Sequence, residues 1–95
     1  MYVTITGFSH YMGVEAFNVG QVLFLEKDID NHYDDEAIAI KSDKGVKYGY
    51  IANSTSTVAR GTHSAGYVYE KINNNDKCKV LFITDEAIIA EITNK

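Results

Sequence analysis

Glu36-Ala37-Ile38-Ala39-Ile40-Lys41-Ser42-Asp43-Lys44-Gly45-Val46-Lys47-Tyr48-Gly49-Tyr50-Ile51 reads as two strands folded back on each other. The first half, Glu36–Ser42, alternates small and branched apolar residues, and the second, Val46–Ile51, is rich in β-formers. Between them, Ser42-Asp43-Lys44-Gly45 supplies the residue types that accept positive φ in a tight hairpin turn. Tyr48 and Tyr50, two apart, are expected on one face of their strand.

Working outward, five further segments have the same character. Tyr2–Thr6 is closed by Gly7, Gln21–Glu26 follows Gly20, and Tyr67–Ile72 precedes the polar turn Asn73-Asn74-Asn75-Asp76. Cys78–Ile83 and Ala87–Ile92 are joined through Thr84-Asp85-Glu86. The exception is Asn53 to Gly61, with N-cap candidates at its start and a glycine suited to C′ at its end, which predicts a helix of about two turns. The expected fold is mainly β: a small OB-like barrel of six or seven short strands, with one short helix after the Gly49-Tyr50-Ile51 strand. Closure into a barrel also removes the exposed edges of a small sheet.

The chain has 95 residues and is 45% hydrophobic, which fits a single domain over 1–95 with one modest core. Its net charge of −4 argues against wide, non-specific coating of a phosphate backbone, yet leaves room for recognition of one terminus or one base. The same acidity suits a basic protein surface. Cys78 is the only cysteine, so no intrachain disulfide and no multi-cysteine metal site can form. No apolar run approaches the roughly 20 residues of a membrane span. The start, Met1 to Thr6, reads as a strand and not as a leader, so the cytosol is the expected compartment.

Chemistry-bearing residues fall in a few places. Phe8-Ser9-His10-Tyr11 follows the first strand, Asp30-Asn31-His32-Tyr33-Asp34 precedes the third, and Tyr48 and Tyr50 lie on the fourth. Loop aromatics beside an amide and a carboxylate can stack a splayed-out base and read its edges or hydroxyls. The same tyrosines can equally cap the barrel core with their hydroxyls in water. Glu26, Asp28, Asp30, Asp34, Asp35 and Glu36 form an acidic run without the glycine and terminal glutamate of a calcium loop, so it reads as solvated and no metal is expected. His10, His32 and His63 show no ligand spacing, and Cys78 sits in an apolar strand where a thiol packs and does not react. There is no phosphate-cradling glycine loop and no nucleophile elbow. A non-catalytic domain with no cofactor is expected.

Several stretches, taken in order, resemble the HIRAN domain. They are Ile5-Thr6-Gly7-Phe8-Ser9-His10-Tyr11-Met12-Gly13, Gly20-Gln21-Val22-Leu23-Phe24-Leu25, Asp30 through Ile40, and Tyr48-Gly49-Tyr50-Ile51. Most specific are Asn31-x-Tyr33-Asp34 followed by Ala37-Ile38, and the Gly49-Tyr50-Ile51 strand. The resemblance implies an OB-like barrel that, in eukaryotic fork-remodelling helicases, grips the 3′ end of single-stranded DNA. By motif position it implies that Tyr33 and the pair His10-Tyr11 flank the terminal base. Asn31 and Asp34 would then hold the terminal nucleotide, with Asp34 accepting from its free hydroxyl. Ser9, His10, Tyr11, Asn31, Tyr33, Asp34, Tyr50 and Asn53 are therefore the candidate nucleic-acid-binding residues. The chain departs from the pattern at Ser9, where a basic residue is expected, at His10, where a stacking ring is expected, and at Asn53, where a lysine is expected. Both basic positions would face phosphate, so the implied DNA binding is weak and salt-sensitive. The alternative partner is a protein, met by a barrel that has kept its shape and lost its DNA-binding charge.

Overall fold

Six strands follow the alternation of the sequence: β1 (Tyr2–Thr6), β2 (Val22–Lys27), β3 (Ile38–Lys41), β4 (Lys47–Ile51), β5 (Lys77–Ile83) and β6 (Ile88–Ile92). They close into an antiparallel barrel in the order β1-β4-β3-β2-β5-β6 in the computed structural model, which describes residues 1–93. Val3 and Ile5, Leu23 and Leu25, Ile38 and Ile40, Cys78 and Val80, and Ile88 and Ala90 point into one core, every one at a spacing of two. Each branched side chain so buried contributes roughly 1.5–3 kcal/mol relative to exposure. A one-residue slip of any strand would turn its set to water, which is why the register holds.

The β3–β4 hairpin forms as read. Ser42 N–H donates to Val46 O at 2.9 Å, Gly45 N–H donates to Ser42 O at 3.0 Å, and Gly45 takes φ +85°. One detail differs. Ile40 pairs with Gly49 but Lys41 with Lys47, so Tyr48 is the extra residue of a β-bulge. The bulge separates the rings of Tyr48 and Tyr50, which the sequence pattern had placed on one face. Tyr48 packs edge-on against Phe17, centroids 5.4 Å apart, while Tyr50 meets Tyr11.

The helix lies elsewhere than expected. Asn53 to Gly61 is a series of turns, and α1 runs over Ala65–Val68, continuing as a 3-10 turn over Tyr69–Lys71. Hydroxyls divert the first segment: Ser54 Oγ accepts Ser56 N–H at 3.1 Å and Thr57 Oγ1 donates to Ser54 O at 3.1 Å. Tertiary pairing then claims Ala59, whose N–H donates to the fully buried Thr4 Oγ1 at 3.0 Å. Thr62 Oγ1 gives its proton to Ala59 O at 2.6 Å, so Thr4 must donate to Thr62 across their 2.8 Å contact, and both hydroxyls are satisfied. Ser64 caps α1 by accepting Tyr67 N–H at 3.2 Å. Ala65, Val68 and Ile72 are buried at helical spacing, which overrides the β character of Tyr67–Ile72 and leaves six strands instead of seven.

Candidate nucleic-acid interface

The loop between β2 and β3 is built by its own side chains. Asn31 Oδ1 accepts the N–H groups of Tyr33 at 2.8 Å and Asp34 at 3.0 Å, an Asx turn that fixes the loop apex. Asp34 Oδ1 in turn accepts Glu36 N–H at 2.9 Å. Asp28 N–H donates to Ala37 O at 2.8 Å and closes the base. Tyr33 thus has a pinned backbone and is 98% exposed as a residue. With its carbonyl committed to the loop, Asn31 can offer a ligand only its Nδ2, which lies 3.4 Å from Asp28 Oδ2.

A cleft of about 280 Å³ lies between this loop and the end of β4, lined by Asn31, Tyr33, Asp34, Tyr50 and Asn53 together with Thr6 and Ala52. Asn53 is its clamp. Its Nδ2 donates to Asp34 Oδ2 at 3.0 Å and Oδ1 at 3.2 Å, and its Oδ1 accepts Gly66 N–H from α1 at 2.8 Å. Glu36 Oε1 lies 3.3 Å from the same Nδ2. A carboxylate has about four acceptor sites. Oδ2 of Asp34, with one bond, retains capacity for a hydroxyl donor.

Tyr50 ties the cleft to the segment after β1. Its ring meets Tyr11 at 6.3 Å, its hydroxyl donates to Asp28 Oδ2 at 2.5 Å, and it accepts from Lys47 Nζ at 2.8 Å. Lys47 also lies over both rings, 4.8 Å from the Tyr50 centroid and 5.6 Å from that of Tyr11. The hydrogen bond from Tyr50 holds Asp28 below its ordinary carboxyl value, against a smaller opposing effect of burial. The bond to Tyr50 likewise raises Lys47, while burial raises Tyr50 itself. Sequence reading missed both Lys47 and Asp28. In a regular strand Lys47 and Tyr50, three apart, face opposite ways; the bulge at Tyr48 returns them to one side.

The HIRAN domain family profile matches residues 1–86. The chain belongs to the HIRAN domain family. Among solved structures it is similar to the HIRAN domain of human HLTF, at 20% identity and a TM-score of 0.65, covering 95% of this chain and 69% of that one. It is also similar to a protein of Lactobacillus plantarum, at 19% identity and a TM-score of 0.59, covering 95% of this chain and 89% of that one. At such identities the likeness bears on the fold. No curated protein matches the chain. HIRAN domains are DNA-binding modules, a binding family and not a catalytic one.

Within this HIRAN barrel, the candidate residues divide. Asn31, Tyr33, Asp34, Tyr50 and Asn53 line one cleft, and Tyr11 joins it through Tyr50. Ser9 and His10, exposed on the 3-10 turn Phe8–His10, do not line it. Cys78 is fully buried, and burial pushes its thiol up to about 12, so it stays protonated and inert. Among the described residues, no three His, Cys, Asp or Glu side chains converge as a metal site. No helix among them is long and apolar enough to cross a membrane.

Proposed function

We propose that this HIRAN domain binds the 3′-hydroxyl end of single-stranded DNA in the Asp34 cleft, without catalysing a reaction on it. One observation carries the reading: the Asp34 carboxylate, with acceptor capacity left on Oδ2, lies in a cleft between the exposed Tyr33 ring and the Tyr11–Tyr50 pair. A carboxylate accepts a hydroxyl and repels a phosphate, so it distinguishes a strand end from its interior. Tyr33 and Tyr50 supply ring faces for the terminal base, and base–aromatic stacking contributes about 1–3 kcal/mol per base. Lys47, side chain 38% exposed, is the cation bonded into this wall and supplies local positive charge in a chain whose net charge is −4. Fluorescence anisotropy with oligonucleotides ending in a 3′-hydroxyl or a 3′-phosphate tests the reading. Tighter binding of the hydroxyl is expected; equal affinity for the two ends overturns it.

A protein partner is the second reading, favoured by one apolar patch. Tyr2 and Phe82, 47% and 64% exposed, border a depression with Leu81 and Ile89. Capture of a protein that survives nuclease treatment and is lost in Phe82→Ser would support it; capture abolished by nuclease counts against it.

A further inference from the structure

Two grooves adjoin the cleft and could take the strand that leads away from a bound end. Past Tyr50, the groove is lined by Glu26, Asp28 and Asp30 against Lys27 and Lys47, a lining with one net negative charge that disfavours phosphate. Past Asn53 lies a larger cleft, about 490 Å³, in which Asn53 forms the shared wall. Arg60, His63 and Tyr67 line it with hydroxyls of the Thr55–Ser64 segment, and no carboxylate does. The rings of His63 and Tyr67 lie 4.0 Å apart and within 14° of parallel, and Lys71 Nζ sits 5.0 Å from the Tyr67 centroid. The stack is held in place from beneath. His63 N–H donates to Tyr2 O at 2.8 Å, and Tyr67 follows the Ser64 cap of α1. Tyr67 is nonetheless 51% exposed. A flat, preformed aromatic stack flanked by cations on an acidic protein is the chemistry that receives a base and its phosphate.

We infer that the strand leaves the Asp34 cleft past Asn53 and lays its next nucleotide on the His63–Tyr67 stack, where the base displaces Lys71 from the outer face of Tyr67 and Arg60 and Lys71 meet the phosphates. This deepens the end-binding reading and rests on it. The test uses the full chain and thymidylates with free 3′-hydroxyls, a mononucleotide that fills only the Asp34 cleft and an octanucleotide, followed by anisotropy over a salt series. Tyr67→Ala should weaken octanucleotide binding about tenfold or more, the loss of one stacked base, and leave the mononucleotide within about twofold. Arg60→Gln combined with Lys71→Gln should flatten the octanucleotide's salt slope by about 1.4, two phosphates at roughly 0.7 each. Both charged residues are exposed, so this second variant is expected to fold even where Tyr67→Ala does not. Parent-like affinity and slope in a folded double variant overturn the inference and leave the end reading standing. Equal binding of hydroxyl and phosphate ends, with Tyr67→Ala still weakening the octanucleotide, sinks the end reading and supports the stack as a strand platform. No binding by the parent overturns both.

Discussion

The amide of Asn53 holds the carboxylate of Asp34 by both oxygens, with Nδ2 3.0 Å from Oδ2 and 3.2 Å from Oδ1. Gly66 N–H, 2.8 Å from Asn53 Oδ1, fixes the amide's orientation from the other side. The β2–β3 loop, the end of β4 and α1 therefore meet at one side chain.

Asn53→Asp is the sharpest test of that junction, because it keeps the shape and the acceptor for Gly66 while removing the donor. A third carboxylate would then face Asp34 and Glu36. At neutral pH the expected loss is about 2 kcal/mol, from a missing charge-assisted bond and the repulsion that replaces it. The crowded carboxyls of the variant take up a proton more readily than separate ones, so folding favours the protonated form. The deficit is therefore present at neutral pH and shrinks as the pH falls into the carboxyl range. Urea unfolding at neutral and acidic pH, followed by tyrosine fluorescence, measures both; an unchanged midpoint at neutral pH contradicts the clamp.

Gly49 carries a different constraint. A Cβ there would lie 2.7 Å from the backbone oxygen of Thr6 and 3.2 Å from Ile5 Cγ2. The glycine of the Gly-Tyr-Ile strand thus exists so that β1 can approach β4 closely. Gly49→Ala is expected to cost about 1–3 kcal/mol, since backbone cannot yield as a flexible side chain does. It should also displace the segment that follows β1 and carries Tyr11. A stability change within about 0.5 kcal/mol, the range of neutral surface substitutions, would refute the close-packing account.

Much of this was open to reading in the sequence, and the failures share a cause. Alternation in Glu36–Ile40 and the glycine turn identify the β3–β4 hairpin because both signals are local. The loop Asn31 to Asp34 is legible for the same reason, as Asn31 bonds its own near neighbours. What escaped depends on partners far along the chain. The Tyr48 bulge is set by how β3 meets β4, and it decides that Lys47 joins Tyr50. The helix moved because Thr4, fifty-five residues away, claims the N–H of Ala59. For Asn53, residue type was plain while its role was not: the position read as a missing cation holds the cleft together.

Tyr50→Phe probes the pH dependence of the wall. Asp28 is held below its ordinary 3.8, so its contribution is complete above that value and is lost as the pH falls through the lowered one. Lys47 and Tyr50 are raised above 10.5 and 10.0, so theirs is complete below those values and is lost as the pH rises through the raised ones. Removing the phenol leaves Asp28 and Lys47 3.9 Å apart without their bridge. About 1 kcal/mol should be lost at neutral pH, a low figure because solvent competes at this partly exposed site. Stability should also fall less steeply at both extremes than in the parent. A variant with the parent's full acid and alkaline dependence would place those titrations elsewhere in the chain.

Asp34→Asn tests the hydroxyl-reading role directly. The substitution keeps the size of the side chain and removes the charge that repels a terminal phosphate. In the parent, a strand ending in a 3′-hydroxyl should bind about tenfold or more tightly over its 3′-phosphate counterpart, equivalent to roughly 1.4 kcal/mol. In the variant the two ends should converge, chiefly because the phosphate-ended strand gains. Loss of one donor–acceptor contact should weaken the hydroxyl-ended strand only a few fold. The side chain also anchors Glu36 N–H and Asn53, so folding must be checked by unfolding midpoint before affinities are compared. A folded variant that discriminates the two ends as the parent does would show that some group other than this carboxylate reads the terminus.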